Sequence, residues 1–384
     1  MPTYARMPVA FERGEGPWLW STDGKRYLDA ISGIAVCNLG HAHPAIARAL
    51  CDQASQLIHT SNLYGIANQS KLAEALCAIS GLENAFFCNS GAEANEAALK
   101  LARLWGHHQG IQRPKVIVME NSFHGRTLFT LSATGNSKVQ AGFEPLVDTF
   151  VRVPYDNIEA VSALDDPEIV AILVEPVQGE GGVRIPQNDY LKHLRELCDQ
   201  RGWLLMLDEV QSGMARTGRW FAFQHSDIKP DVMTLAKGLG NGVPIGACLA
   251  TGPAARVLTQ GKHGSTFGGN PLSSRAALAV IETMTREQSA ERAASLGQWL
   301  VDAFRDALKN TPSVREIRGK GLMIGIELNR PCQALTARAF DRGLLINVTA
   351  DTVIRLLPPL ILSEEEARYL VDTLTPLIHE FTSD

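Results

Sequence analysis

Two charged residues stand where this chain could do chemistry, Asp208 and Lys237. Each follows a short apolar run of strand length, Leu204 to Leu207 and Val232 to Leu235. In an open α/β sheet the carboxyl ends of the strands border the ligand crevice, so an acid and a lysine emerging there would face one bound molecule. A lysine amine can form a Schiff base with an aldehyde. An aspartate can hold a pyridine nitrogen protonated, so that the ring draws electrons. The cofactor that uses both is pyridoxal 5'-phosphate. Taken singly, a strand-end lysine is more often a solvated charge and an aspartate a helix cap, so the weight rests on what surrounds the pair.

Three further stretches carry suitable residues. Ser90, Gly91 and Ala92 open a helix directly after an apolar run. Unpaired backbone N–H groups at the positive end of a helix dipole suit an anion, although a plain strand-to-helix turn capped by Asn89 or Ser90 reads the same way. Phe123, after the run Lys115 to Met119, can stack on a flat ring, and Arg126 beyond it has a fork that matches a carboxylate. Arg355 lies inside the apolar string VIRLLPPL, where a guanidinium is costly unless it meets an anion.

The strings DEVQSG (208–213) and LAKGLGNG (235–242) resemble the cofactor-binding core of class III aminotransferases of fold type I, in the acetylornithine and ornithine branch. SGAEA, FHGR, EPVQGEGG and HGSTFGGN follow the same pattern, and the resemblance extends along essentially the whole chain. It implies that Ser90, Gly91 and Ala92 hold the phosphate, that Phe123 covers one face of the pyridine, and that Gln211 bonds the phenolic oxygen. It implies that Arg126 grips a substrate carboxylate, and that Glu180 pairs with a mobile arginine and is displaced when a dicarboxylate binds. Arg355 is the candidate arginine, holding the α-carboxylate of glutamate and 2-oxoglutarate. Ser265 and Thr266 are implied to reach the neighbouring subunit's site, with Thr266 at the phosphate, which makes a symmetric homodimer the expected assembly.

Composition narrows the classes. The 384 residues are 45% hydrophobic, enough for a large core, and the net charge of -5 gives no basic footprint for nucleic acid or an anionic membrane. The seven cysteines have no paired metal-type spacing and read as reduced thiols. His41 and His43 alternate like a strand but lack a third ligand at a sensible spacing, so no metal is expected. No signal-type apolar segment and no membrane-length run occurs, so the expected location is the cytoplasm.

The elements that must position these residues follow from periodicity. Trp18 to Asp29 reads as a hairpin around Asp23-Gly24. Strands and helices then alternate from about Cys51 to Gly261, which predicts a three-layer α/β/α unit with a mostly parallel sheet; the resemblance adds one antiparallel strand. Long helices and a small mixed unit follow. Ser363 to Glu366 matches a capping box, with Ala367, Leu370, Val371, Leu374, Leu377 and Ile378 as the buried face of a last helix. The expected division is a large domain over 51–274 and a smaller α+β domain built from 1–50 and 275–384.

The expected activity is transfer of a terminal amino group to 2-oxoglutarate. GIAVCNLGHAHP and FHGRT look more like acetylornithine enzymes than ornithine enzymes, which tend to carry Trp where His124 stands. N-acetylornithine, a metabolite on the arginine route, is therefore the expected donor. Succinylornithine, ornithine and 4-aminobutyrate are the alternatives within the class. An aminomutase of the same fold would need no keto acid, and a non-catalytic binding protein would have had no need of Lys237 or Asp208.

Overall fold

The computed structural model describes residues 1–383. Its centre is a seven-stranded sheet of β1 (Asn84–Cys88), β2 (Lys115–Met119), β3 (Phe150–Val153), β4 (Ile169–Val174), β5 (Leu204–Asp208), β6 (Val232–Leu235) and β7 (Gly246–Ala250), in the spatial order β1-β7-β6-β5-β4-β2-β3. All neighbours are parallel except β7, which is antiparallel to both β1 and β6. The parallel arrangement explains the sequence pattern. Strands covered on both faces have no solvent side, so every residue of β4, β5 and β6 is buried, and only Thr234 interrupts the apolar runs that precede Glu175, Asp208 and Lys237.

Alternate residues of one strand feed different apolar cores. Val116 and Val118 of β2 join Ala97, Ala98, Leu99 and Ala102, whereas Ile117 and Met119 join Leu194 and Leu197. The first set belongs to helix Gly91–His108 and the second to helix Tyr190–Arg201. Alanines on the buried side of the first helix let its backbone approach the sheet closely. The expected three-layer order is thus present.

Two smaller sheets flank this unit. Phe11–Glu15, Trp18–Ser21 and Arg26–Asp29 form the expected hairpin extended by one strand, and Leu344–Leu345 joins it in parallel. The other sheet orders Val314–Lys320, Met323–Leu328, Val353–Leu356 and Asn347–Thr349, all antiparallel. The last helix, Glu364–Ser383, buries the six residues expected, and its capping box is complete: Glu366 N donates to Ser363 Oγ at 3.2 Å and Ser363 N to Glu366 Oε2 at 2.8 Å. Trp18 Nε1 donates to Glu366 Oε1 at 2.7 Å, tying the first hairpin to this helix across 348 positions.

One local expectation changes. His41 and His43 do not form a strand: His41 makes a single bridge with Gly16, and His43 is the N-cap of helix Pro44–Ala54, its ring accepting from Ala45 N at 3.3 Å. Pro44 fixes the first helical turn and ends extended backbone there. Among the described residues no helix is long and apolar enough to cross a membrane.

Candidate active site

The carboxyl ends of β2, β4, β5 and β6 open on a cavity of about 240 Å³. It is lined by Gly91, Ala92, Phe123, Arg126, Glu180, Asp208, Gln211 and Lys237, together with Asn95, His124, Gly125, Glu175 and Val210. Eight of the lining residues had been singled out from sequence, and parallel strand ends bring them together as the crevice rule requires.

Asp208 ends β5 and is buried. Its Oδ2 accepts from Asn95 Nδ2 and from His124 Nδ1, both at 2.7 Å, and its Oδ1 accepts from Val210 N at 3.1 Å. Asn95 is fixed in turn, donating to His124 O at 2.8 Å while its Oδ1 accepts from Thr234 Oγ1 at 2.8 Å. The carboxylate plane is therefore set from three sides. Sequence reasoning used His124 only to choose between substrates and did not single out Asn95. The signal available for Asn95 was its place one helical turn beyond Gly91, on the face turned to β5.

Lys237 stands two residues past β6, at the start of a single 3-10 turn, with φ at +46°. A left-handed conformation is uncommon for a non-glycine residue and tends to persist where the surroundings demand it. Burial draws the amine below its ordinary value; Glu180 opposes this and Arg355 reinforces it. A lysine so held gives up its proton more readily than one in water, so more of it is present as the neutral amine.

Helix Gly91–His108 begins at the cavity. Ser90 is its N-cap, with Oγ accepting from Glu93 N at 3.2 Å, so the capping role does occur. Among the described residues the Gly91 and Ala92 amides have no acceptor, which leaves two donors at the positive end of the helix. Gly91 must be glycine for a local reason: a Cβ there would lie 2.8 Å from Val210 Cγ1.

The acid side is built by the loop after β4. Glu175 accepts from Phe123 N at 2.9 Å and Gly179 N at 3.2 Å, which anchors the ring-bearing segment to this loop. Burial pushes its carboxyl up to about 7, against the pull of His124. Glu180 Oε1 meets Arg355 Nη1 at 2.6 Å. Burial would raise Glu180, but Arg355 and Lys237 outweigh it and the carboxyl sits below its ordinary value. Arg355 is fully buried, donates through Nε to Asn347 Oδ1 at 3.0 Å, and reaches Gln211 Oε1 at 3.4 Å. Its Nη2 is buried without a partner among the described residues.

Arg126 is exposed at the rim, its guanidinium carbon 5.7 Å from the Phe123 ring centre. Ser265 and Thr266 are not brought to this cavity. They line a separate pocket with Glu93, Lys100 and His263, and Ser265 Oγ accepts from Gly268 N at 3.0 Å.

The model of the aminotransferase class-III family matches residues 1–378. The chain belongs to that family. Its members move an amino group from an amino donor to a keto acid. An acetylornithine aminotransferase of Nitrosomonas europaea is 60% identical over 383 residues, covering 99% of this chain and 98% of its own length. One of Bordetella bronchiseptica is 53% identical over 380 residues, covering 98% and 97%. Among solved structures, an ornithine aminotransferase from Toxoplasma gondii superposes with a TM-score of 0.96 at 35% identity, covering 100% of this chain and 93% of its own. An acetylornithine aminotransferase from Elizabethkingia anophelis gives 0.89 at 35% identity, covering 99% and 96%.

Proposed function

We propose that the chain is an acetylornithine aminotransferase that uses pyridoxal 5'-phosphate to move the terminal amino group of N-acetylornithine to 2-oxoglutarate, yielding N-acetylglutamate 5-semialdehyde and glutamate. The observation that carries the reading is the convergence of Lys237, the thrice-bonded Asp208 and the closed Glu180–Arg355 pair in one cavity, in a chain 60% identical to an acetylornithine aminotransferase.

The residues fit the cofactor. Gly91 and Ala92 offer acceptor-free amides and Ser90 caps the same helix end, which suits the phosphate. Phe123 supplies a flat face, Gln211 an amide, and Asp208 a fixed carboxylate for a ring nitrogen. Bound pyridoxal phosphate would act as an electron sink, making the proton on the amine-bearing carbon acidic. Lys237 would hold the cofactor at rest and, when free, would move that proton as general base and then acid; its depressed pKa keeps more of it as the neutral amine that a base requires. Asn95 and His124 hold Oδ2 of Asp208 and so fix the carboxylate that would face the ring nitrogen.

Substrate choice falls to the two arginines. Arg126 at the rim takes a carboxylate remote from the reacting carbon. Arg355 takes one beside it, and Glu180 masks Arg355 when the substrate has none there. N-acetylornithine reacts at its terminal amine and leaves the pair closed, whereas 2-oxoglutarate replaces Glu180.

A shared-site homodimer belongs to the same proposal. Leu63, Tyr64 and Phe267 are 86%, 70% and 59% exposed. They flank Asn62, which donates to Ser265 O and Gly268 O at 3.0 Å. An apolar surface beside the Ser265–Thr266 loop suits a second copy that receives those residues. We also propose the division into a large domain over 51–274 and a small one over 1–50 and 275–384, and a cytoplasmic setting.

The test is formation of glutamate from each donor with and without 2-oxoglutarate. The reading expects N-acetylornithine to exceed ornithine and 4-aminobutyrate in kcat/KM and no turnover without keto acid. Equal or better use of ornithine would overturn the donor, and turnover without keto acid would overturn the reaction.

A further inference from the structure

Arg318, Gly325, Arg355 and Asn347 form one row across the smaller C-terminal sheet: Arg318 pairs with Gly325, Gly325 with Arg355, and Arg355 with Asn347. Directly opposed residues of an antiparallel sheet project from the same face, so both arginines reach toward the loop after β4. They hold different parts of it. Arg355 takes the Glu180 carboxylate, as described. Arg318, which is only 6% exposed, takes the backbone: Nη2 donates to Gly182 O at 2.6 Å and Nε to Val183 O at 2.8 Å. Its remaining nitrogen, Nη1, meets Glu327 Oε2 at 2.7 Å and Glu316 Oε2 at 2.5 Å, so its own position is fixed.

The glycine between the arginines matters to the loop. A Cβ at Gly325 would stand 3.1 Å from Val183 Cβ and 3.2 Å from Val353 Cγ1. Val183 fills that space, fully buried, with φ at +50°. For a β-branched residue this backbone is a genuine outlier that the surroundings must hold in place. The surroundings supply the compensation: Arg318 on the Val183 carbonyl, Thr349 Oγ1 donating to Glu180 O, and a two-way backbone bridge between Gln178 and Arg184 at 3.0 Å.

We propose that Arg318, acting across Gly325, is a positioning residue that straps the 179–183 backbone so that only the Glu180 side chain moves when Arg355 is uncovered, and that it thereby sets the balance between the two half-reactions. The proposal rests on Glu180 acting as the mask of Arg355. Loosening the strap weakens the closed pair, which the terminal-amine donor needs, and leaves Arg355 at least as open to 2-oxoglutarate.

The two half-reactions separate the strap from a purely structural role. In holoenzyme carrying Arg318→Met, kcat/KM of the N-acetylornithine half-reaction falls about tenfold while that of 2-oxoglutarate stays within about threefold. Arg318→Lys restores part of the loss, and backbone amide exchange rises over 179–184 but not over 208–213. Gly325→Ala, which presses a methyl on Val183, moves the ratio the same way and serves if Arg318→Met does not fold. Proportional loss in both half-reactions, or an unchanged ratio in Gly325→Ala, overturns the proposal. Glu180→Ala distinguishes the levels: a moved ratio there with unmoved Arg318 variants sinks the strap alone, and an unmoved ratio in Glu180→Ala sinks the masking role and the strap with it.

Discussion

His124 Nδ1 lies 2.7 Å from Asp208 Oδ2, joining a loop imidazole and a strand-end carboxylate that are 84 positions apart in sequence and both buried. The other ring nitrogen has no partner among the described residues, so the imidazole's polar contact is spent on Asp208. A hydrogen bond to a charged group is worth about 1.5–3 kcal/mol. Replacing His124 with Ala should therefore lower kcat by roughly 10–100-fold with little change in donor KM, and Asn, which keeps a nearby donor, should recover part of it. Steady-state kinetics check this, and an unchanged kcat in a folded His124→Ala protein would show that Asn95 alone suffices.

Lys237 is the one lysine lining the cavity among the described residues. Lys237→Ala should retain the fold, lose multiple turnover, and lose the covalent attachment of cofactor seen after borohydride reduction and mass measurement. Sustained turnover in that variant would remove Lys237 from its role.

The Glu180–Arg355 contact predicts a shift in preference, not a uniform loss. Glu180→Ala should raise kcat/KM for glutamate relative to N-acetylornithine by about tenfold or more, since a close charged pair is exchanged for an open arginine. Competition between the two donors reads the ratio directly.

His41 gives a pH dependence of stability. Burial would lower its pKa, but Asp29, with Oδ2 at 2.9 Å from Nε2, and Cys37 raise it to about 9. A group held above its unfolded value stabilises fully below the unfolded pKa and loses that contribution as pH rises through the folded one. The stabilisation, of the order of a few kcal/mol at most, should fade between about pH 6.5 and 9. Tm measured across that range should fall more steeply for the native chain than for His41→Asn, and parallel curves would contradict the assignment.

Part of this was legible in the chain and part was not. Asp208 and Lys237 announced themselves because parallel strands buried on both faces leave charge only at their ends. Arg355 was readable for a different reason, as a charge inside an apolar strand where a guanidinium needs an anion. His124 with Asp208, Asn95 with both, and the row of Arg318, Gly325 and Arg355 depend on which strands adjoin and in what register, information that no local spacing contains. The histidines at 41 and 43 misled because alternation over three residues cannot outweigh a proline that starts a helix.

The most direct test is the visible absorption spectrum of the purified protein supplied with pyridoxal phosphate, recorded before and after N-acetylornithine, ornithine and 4-aminobutyrate, each without keto acid. The account predicts a yellow band at rest that N-acetylornithine bleaches far faster than the other two, and that 2-oxoglutarate restores. Absence of the band in the supplemented protein would contradict the role of Lys237, and a band bleached only by ornithine or 4-aminobutyrate would contradict the donor.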